Sequence, residues 1–176
     1  MASDGAGSAR QLSKITFDYV PREDRLLARV QAADGERSAL WLTRRLALRL
    51  VQALCAHLEK IASTQSPQHA DLLQSFRHQA AVASNRPGAP VPDIDSNDAF
   101  LLDTIELQLD TEHAHLTLML ATAPARLSLS QEQVWRLLQI LLDMFRRAEW
   151  PVDAWPAWMR DPQGVHAGID TAMVAH

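Results

Sequence analysis

Two histidines spaced two apart, His113 and His115, fall on one face of a strand, where both imidazoles could reach a single metal ion. A third ligand, Asp110 or Glu112, would have to approach from the adjacent turn. Asp93-Ile-Asp-Ser-Asn97 places oxygen-bearing side chains at the first, third and fifth positions of an EF-hand calcium loop. The rest of that pattern is missing: Asp98 stands where the loop needs glycine, and Thr104 where it needs a bidentate glutamate. Solvated hairpin histidines and an acidic loop are therefore expected, with no metal and no cofactor. Cys55 and His57 are two apart on a helical stretch, which aims them at different faces, so Cys55 reads as an inert buried thiol. The chain has no Gly-x-Ser-x-Gly, Walker loop, Gly-x-Gly-x-x-Gly or His-Glu-x-x-His. Nothing argues for catalysis, and the reading leans away from an enzyme.

Two other groups suggest recognition. Arg44 and Arg45 open a helix, where the macrodipole favours carboxylates over cations. With Arg49, Trp41 and the Arg22, Arg25 and Arg29 of the preceding meander, they form a candidate site for an anion or a nucleic acid. The alternative is that they pair with Asp34, Glu36 or Glu59 and cover apolar surface with their stems. Trp150, Trp155 and Trp158, stiffened by Pro151 and Pro156, form either a C-terminal strap over the core or an aromatic partner site.

The elements that position these residues come in a repeated order. Residues 15–20 alternate apolar and polar, as in a half-buried strand; a second strand follows over 25–31, the Asp34-Gly35 turn, and a third strand over 38–42. Thr43 is a suitable N-cap for a helix whose apolar face is Ala47, Leu50, Val51, Leu54, Leu58 and Ile61. Strands at 105–109, 116–120 and 127–129, a capping box at Ser130 and Gln133, and a helix through Phe145 repeat that order. The two helices align without gaps at an offset of 87 residues and the first strands at 90. This pattern predicts an α+β fold of two β-β-β-α units, an internal duplication of antiparallel meanders packed on helices. The expected divisions are a disordered N-terminus (1–14), the first unit (15–62), a linking helix and loop (63–98), the second unit (99–149) and a Trp/Pro-rich end (150–176), with 15–158 co-folded. The linking helix should open at Ser66-Pro67 and carry Leu72, Leu73, Phe76 and Ala80 as its apolar stripe.

The last helix is apolar almost all round, with Trp135, Leu137, Leu138, Ile140, Leu141, Leu142, Met144 and Phe145, and such a helix must be covered on most sides. A second subunit is one cover, which makes Trp135, Ile140 and Met144, with the three C-terminal tryptophans, the expected partner-binding residues. Composition narrows the classes further. The 176 residues carry 17 basic and 21 acidic side chains, so the basic excess of a duplex binder is absent. Residues 1–88 hold 12 of the basic and 8 of the acidic residues, which leaves a basic first half joined to an acidic second. One cysteine allows no intramolecular disulfide, and no apolar run approaches the roughly 20 residues of a membrane span. Without a secretory apolar segment, a cytoplasmic location is expected.

A non-catalytic binding or assembly protein, self-associating as a homodimer or meeting another protein, is the expected function. The alternative is a single-stranded nucleic-acid binder that uses Phe17, Tyr19, Trp41 and the basic first sheet. In topology, sheet-plus-helix repeats resemble PUR and Whirly domains, which implies a strand-binding sheet face. No sequence motif of those families is matched, their units have a fourth strand, and the second meander here has only Arg126 as a cation.

Overall fold

The computed structural model describes residues 9–65, 68–84, 88–120 and 123–161 and has an α+β fold. Its contacts divide into two compact units that cut across chain order: 9–47 with 88–130, and 48–84 with 131–161. The first holds all the strands: β1 (Arg10–Val20), β2 (Arg25–Ala32), β3 (Arg37–Leu42), β4 (Phe100–Leu101), β5 (Ile105–Leu109), β6 (His113–Leu118) and β7 (Ala125–Ser130). They make one seven-stranded mixed sheet in the order β4-β3-β2-β1-β7-β6-β5.

That order has a geometric consequence. β4 and β5 lie at opposite ends of the sheet, yet only Leu102, Asp103 and Thr104 separate them in sequence. The four Cα steps from Leu101 to Ile105 span at most about 15 Å. A flat sheet would hold those edges about 29 Å apart, six gaps of about 4.8 Å. The sheet therefore curls until its ends nearly meet. The Leu102 amide donates to Trp41 O (2.9 Å) and the Met119 amide to Thr104 O (3.2 Å), so residues 100–109 behave as one bent strand shared by β3 and β6.

Two antiparallel meanders, β1-β2-β3 and β5-β6-β7, are joined by two short parallel seams. One is Arg10↔Ala125 and Gln11↔Arg126; the other is Leu40↔Phe100 and Trp41↔Leu101. Within each meander neighbouring strands pair antiparallel, Ile15↔Val30 and Ala28↔Leu40 in the first, Ile105↔Leu118 and Leu116↔Leu127 in the second. Leu26, Ala28, Val30, Leu40, Leu42, Leu116, Leu118, Leu127 and Leu129 are buried on one face. It is the concave one, because the alternate positions Lys14, Glu106, Gln108 and His113 are exposed, which the inside of a tight curl does not permit.

The N-terminal stretch departs from expectation. Residues 10–14, read as part of a disordered end, are the start of β1. A register shift between Leu12 and Lys14 breaks the two-residue alternation there, and Arg10 and Gln11 are held by β7, far away in sequence.

The second unit is helical. α1 (Arg44–Gln65) enters it at Leu48, and α2 (Ala70–Ala83), α3 (Gln131–Arg147) and the single turn α4 (Ala157–Arg160) complete it. Thr43 caps α1 as its sequence suggests, accepting the Leu46 amide on Oγ1 at 3.2 Å. Ser66 and Pro67 lie outside the described residues. The helix described after them starts at Ala70, following His69, which makes no side-chain cap bond. α3 ends in a Schellman-type turn: Glu149 takes a φ of 53°, and the Trp150 amide donates to Phe145 O at 2.9 Å.

Candidate binding surfaces

The aromatic residues singled out in the sequence converge inside the helical unit. Trp150, Trp155 and Trp158 are buried, as are Trp135 and Met144 on α3. Phe145 meets Trp150 and Trp155 edge to face at 5.1 and 5.3 Å, and Trp135 meets Trp158 in the same way at 5.1 Å. The Trp158 indole N–H donates to Glu59 Oε1 on α1 at 3.1 Å. Residues 150–161 thus strap the unit shut, and the expected partner surface is occupied by the chain itself. Only Ile140, 38% exposed, remains at the surface from that set. The chain's own strap and α2 contact supply cover that the sequence reading sought from a second subunit.

α2 buries a different side from the one its apolar residues suggest. Gln74, Ser75, His78 and Ala81 are buried, whereas Phe76 is 54% exposed and Leu72 and Leu73 are half-buried. Gln74 Nε2 donates to the Leu58 carbonyl, and His78 Nε2 lies 2.8 Å from Gln139 Oε1 on α3. The His78 ring also packs against Trp135 and Trp158, with centroids 6.0 and 6.3 Å away. Among the described residues its Nδ1 and Gln74 Oε1 have no hydrogen-bond partner. Burial holds the imidazole below its usual range, partly offset by the Gln139 bond and by Asp143, while Arg146 adds to the lowering. Gln74 and His78, one turn apart, are a buried polar pair that the apolar pattern did not reveal. A groove of about 450 Å³ lies between α2 and the start of α3, with Ala80, Ala81 and Trp135 in its lining and Arg77, Ser84 and Glu132 among its polar groups. Glu132 is engaged there by Ser84 and Arg136, which hold its carboxyl below the usual range.

The candidate arginines separate into two kinds. Arg29 sits on the outer face of β2, pairs with both Asp18 and Asp93, and its side chain is only 11% exposed. Asp93 belongs to the loop crossing that face, where Val91 is buried and its amide donates to Thr16 Oγ1 at 3.0 Å. Arg29 therefore pins a loop and is not presented to an anion. Arg22, Arg44, Arg45 and Arg49 are exposed and Arg25 is half-buried; none makes an ion pair among the described residues. The acidic groups proposed for them are otherwise engaged, Glu36 by Arg10 and Glu59 by Trp158. Trp41 is half-buried beside Leu101.

Strand directions place these groups. β1 and β3 are both antiparallel to β2, β7 is parallel to β1, and β5 and β7 are both antiparallel to β6, so β1, β3, β5 and β7 all end at one rim of the curled sheet. The β1–β2 hairpin, where Glu23 and Asp24 lie between Arg22 and Arg25, and Arg44 and Arg45 after β3, form a part of that rim with an excess of basic groups. The β5–β6 hairpin, with Asp110 and Glu112, forms an acidic part. Asp110 accepts the amides of Glu112 (2.8 Å) and His113 (2.7 Å), which hold its carboxyl below the usual range. His113 and His115 stack at 6.0 Å, and His115 bonds Ser128 Oγ at 2.9 Å. No group of three metal-binding side chains occurs among the described residues.

No known protein family, curated protein or solved structure matches this chain.

Asp93 and Asp95, the start of the calcium-like pattern, have local duties instead: Asp93 holds Arg29, and Asp95 caps the short 3-10 turn Ser96–Asp98 by accepting the Asn97 amide at 2.9 Å. Cys55 is buried, its thiol pushed up to about 12 by burial and by Glu59. Phe17 is buried and Tyr19 half-buried on the concave face, so neither is a platform for stacked bases. Among the described residues, no helix is long and apolar enough to cross a membrane.

Proposed function

We propose that this chain is a non-catalytic binding protein whose working surface is the basic rim formed by Arg22, Arg25, Arg44 and Arg45, and whose partner presents carboxylates or phosphates. The observation that carries the reading is that Arg22, Arg44 and Arg45 are exposed and Arg25 half-buried, none of them with an ion pair among the described residues, while Arg10 and Arg29 of the same unit are paired. Guanidinium groups left open in this way suit bidentate contacts to anionic oxygens. The tryptophan strap serves stability in this reading. Single-stranded nucleic acid is a weaker fit, because Phe17 and Tyr19 face the concave side and base stacking would rest on Trp41 alone.

Fluorescence anisotropy with a labelled oligo-glutamate peptide and with a labelled single-stranded oligonucleotide, at low salt, tests the proposal. Saturable binding of the peptide, weakened at least tenfold in Arg44→Glu/Arg45→Glu, is the expected result. Equal binding by wild type and variant, or none to either probe at hundreds of micromolar, refutes it. Clearly tighter binding of the oligonucleotide would favour the nucleic-acid reading.

A further inference from the structure

Where the two ends of the sheet nearly meet, the seam closes only part of the way. Phe100 and Leu101 pair with β3 and the Leu102 amide bonds Trp41 O, but β3 ends at Leu42 and the chain leaves it for α1. β5 therefore has β6 on one side and, among the described residues, no strand on the other. The ladder to β6 decides which backbone groups face the open side. Thr104 O accepts the Met119 amide and the Asp110 amide donates to His113 O, so residues 104, 106, 108 and 110 bond inward to β6. The N–H and C=O of Ile105, Leu107 and Leu109 point outward, and among the described residues they have no hydrogen-bond partner. Their side chains continue the apolar row of the concave face but stay half-buried, whereas Leu118, Leu116 and Ala114 opposite them on β6 are buried. The row is short of one neighbouring strand. β5 also lacks the usual guards of an edge: it has no proline or lysine, its register with β6 is unbroken, and Glu106 is its one charge.

An antiparallel strand fits this edge, and β5 is its own complement. Two copies paired about a two-fold axis through Leu107 set Leu107 on Leu107 and Ile105 on Leu109, with the outward backbone groups of all three bonded. On the other face Glu106 meets Gln108 and Thr104 meets Asp110, so no like charges are opposed. Sliding the strands by two residues sets Glu106 against Glu106 in one direction and against Asp110 in the other. Sliding by one residue places each outward N–H and C=O opposite a residue whose own groups point away. We propose that β5 is a self-docking edge, through which two copies of this chain join by antiparallel β5–β5 pairing centred on Leu107. A seam of 5 residues is small beside a standard protein interface, so the dimer is a weak one. It is separate from the basic rim and does not depend on it.

Sedimentation equilibrium of the full chain at pH 7.5 tests it. The weight-average mass should rise above the 19.6 kDa monomer as the concentration reaches hundreds of micromolar. Leu107→Pro removes an outward N–H but none of the bonds to β6, so it should weaken the dimer at least tenfold while circular dichroism shows the fold retained. Gln108→Glu brings a second carboxylate opposite Glu106 and should weaken the dimer several-fold; adding Glu106→Lys turns both repulsions into attractions and should restore it. Both of these positions are exposed, so that pair of variants reads the interface even where Leu107→Pro costs stability. In amide exchange followed by NMR, the Leu107 amide should gain protection as concentration rises, and that of Glu106, already bonded to β6, should not change. A wild-type chain that stays monomeric at millimolar concentration overturns the proposal, as does a dimer that Leu107→Pro leaves intact or that is indifferent to Gln108→Glu. A monomer whose Leu107 amide becomes protected by an added peptide of alternating valine and threonine overturns the second copy as occupant and gives the edge to an extended segment of another protein.

Discussion

Replacing Trp158 with alanine tests whether the C-terminal segment is a strap. Trp158 is 2% exposed and meets Trp135 at 5.1 Å and the His78 ring at 6.3 Å, both edge to face. Truncating a buried aromatic of this size costs about 3–5 kcal/mol, because the lost transfer energy is joined by an incompletely collapsed cavity. In a chain of this length each kcal/mol moves the thermal midpoint by about 2–4 °C, so Trp158→Ala should lower it by about 10 °C. Trp158→Phe keeps an aromatic ring but loses the N–H to Glu59 Oε1. Glu59 is half-buried and can recover water, so that loss should be nearer 1–2 kcal/mol. Circular dichroism melts at pH 7.5, with chemical denaturation for the free energies, supply the measurement. A loss below about 1 kcal/mol in Trp158→Ala would refute the strap and return the tryptophan to the candidate interface.

Other substitutions probe the loop, the buried histidine, the thiol and a helix end. Asp93→Ala should release the 88–95 loop and leave the partly buried Arg29 with Asp18 alone, which limited proteolysis would show as faster cleavage within 88–95. His78 binds its proton less readily in the folded chain than its ordinary value of 6.5, so the unfolded chain takes up more protons below that value. Stability should therefore be complete above pH 6.5 and fall as pH drops towards the folded pKa, and His78→Phe should flatten that slope in melts between pH 7.5 and 5. Cys55, 4% exposed and with its pKa near 12, should react with a thiol reagent only on unfolding, at a rate that tracks denaturant. Glu149→Gly should stabilise the chain by about 0.5–1 kcal/mol in chemical denaturation, because glycine takes the left-handed conformation at φ 53° without the Cβ penalty.

The parts of the fold that were legible in the sequence are those governed by local pattern. Alternation located residues 15–20 of β1 and the whole of β5, Asp34-Gly35 marked a turn with Gly35 at φ 90°, and Thr43 capped α1. The start of β1 was not legible, since Arg10 and Gln11 are strand residues by virtue of Ala125 and Arg126. β4 was hidden for the same reason: Phe100 and Leu101 are defined by Leu40 and Trp41. Long-range pairing leaves no short-range period. On α2 the apolar rule failed because hydrogen bonds, not hydrocarbon, decided the buried side: Gln74 and His78 find the Leu58 carbonyl and Gln139, and Phe76 is left outside. For the arginines, residue type revealed the charge but not its use. Arg29 is separated from Arg22 by the two aspartates that happen to reach it.

The two parallel seams also set an order for building the molecule. β1 cannot find its neighbour until residues 125 and 126 exist, and β3 must wait for residues 100 and 101. During synthesis the first meander therefore emerges with both outer strands unsealed, and only its internal hairpins can form from nearby contacts. Closure comes from the second meander, which supplies both missing neighbours within about thirty residues of one another. A ribosome stalled before residue 100 would hold an open sheet with two sticky edges, and one stalled after residue 126 would hold a sealed one.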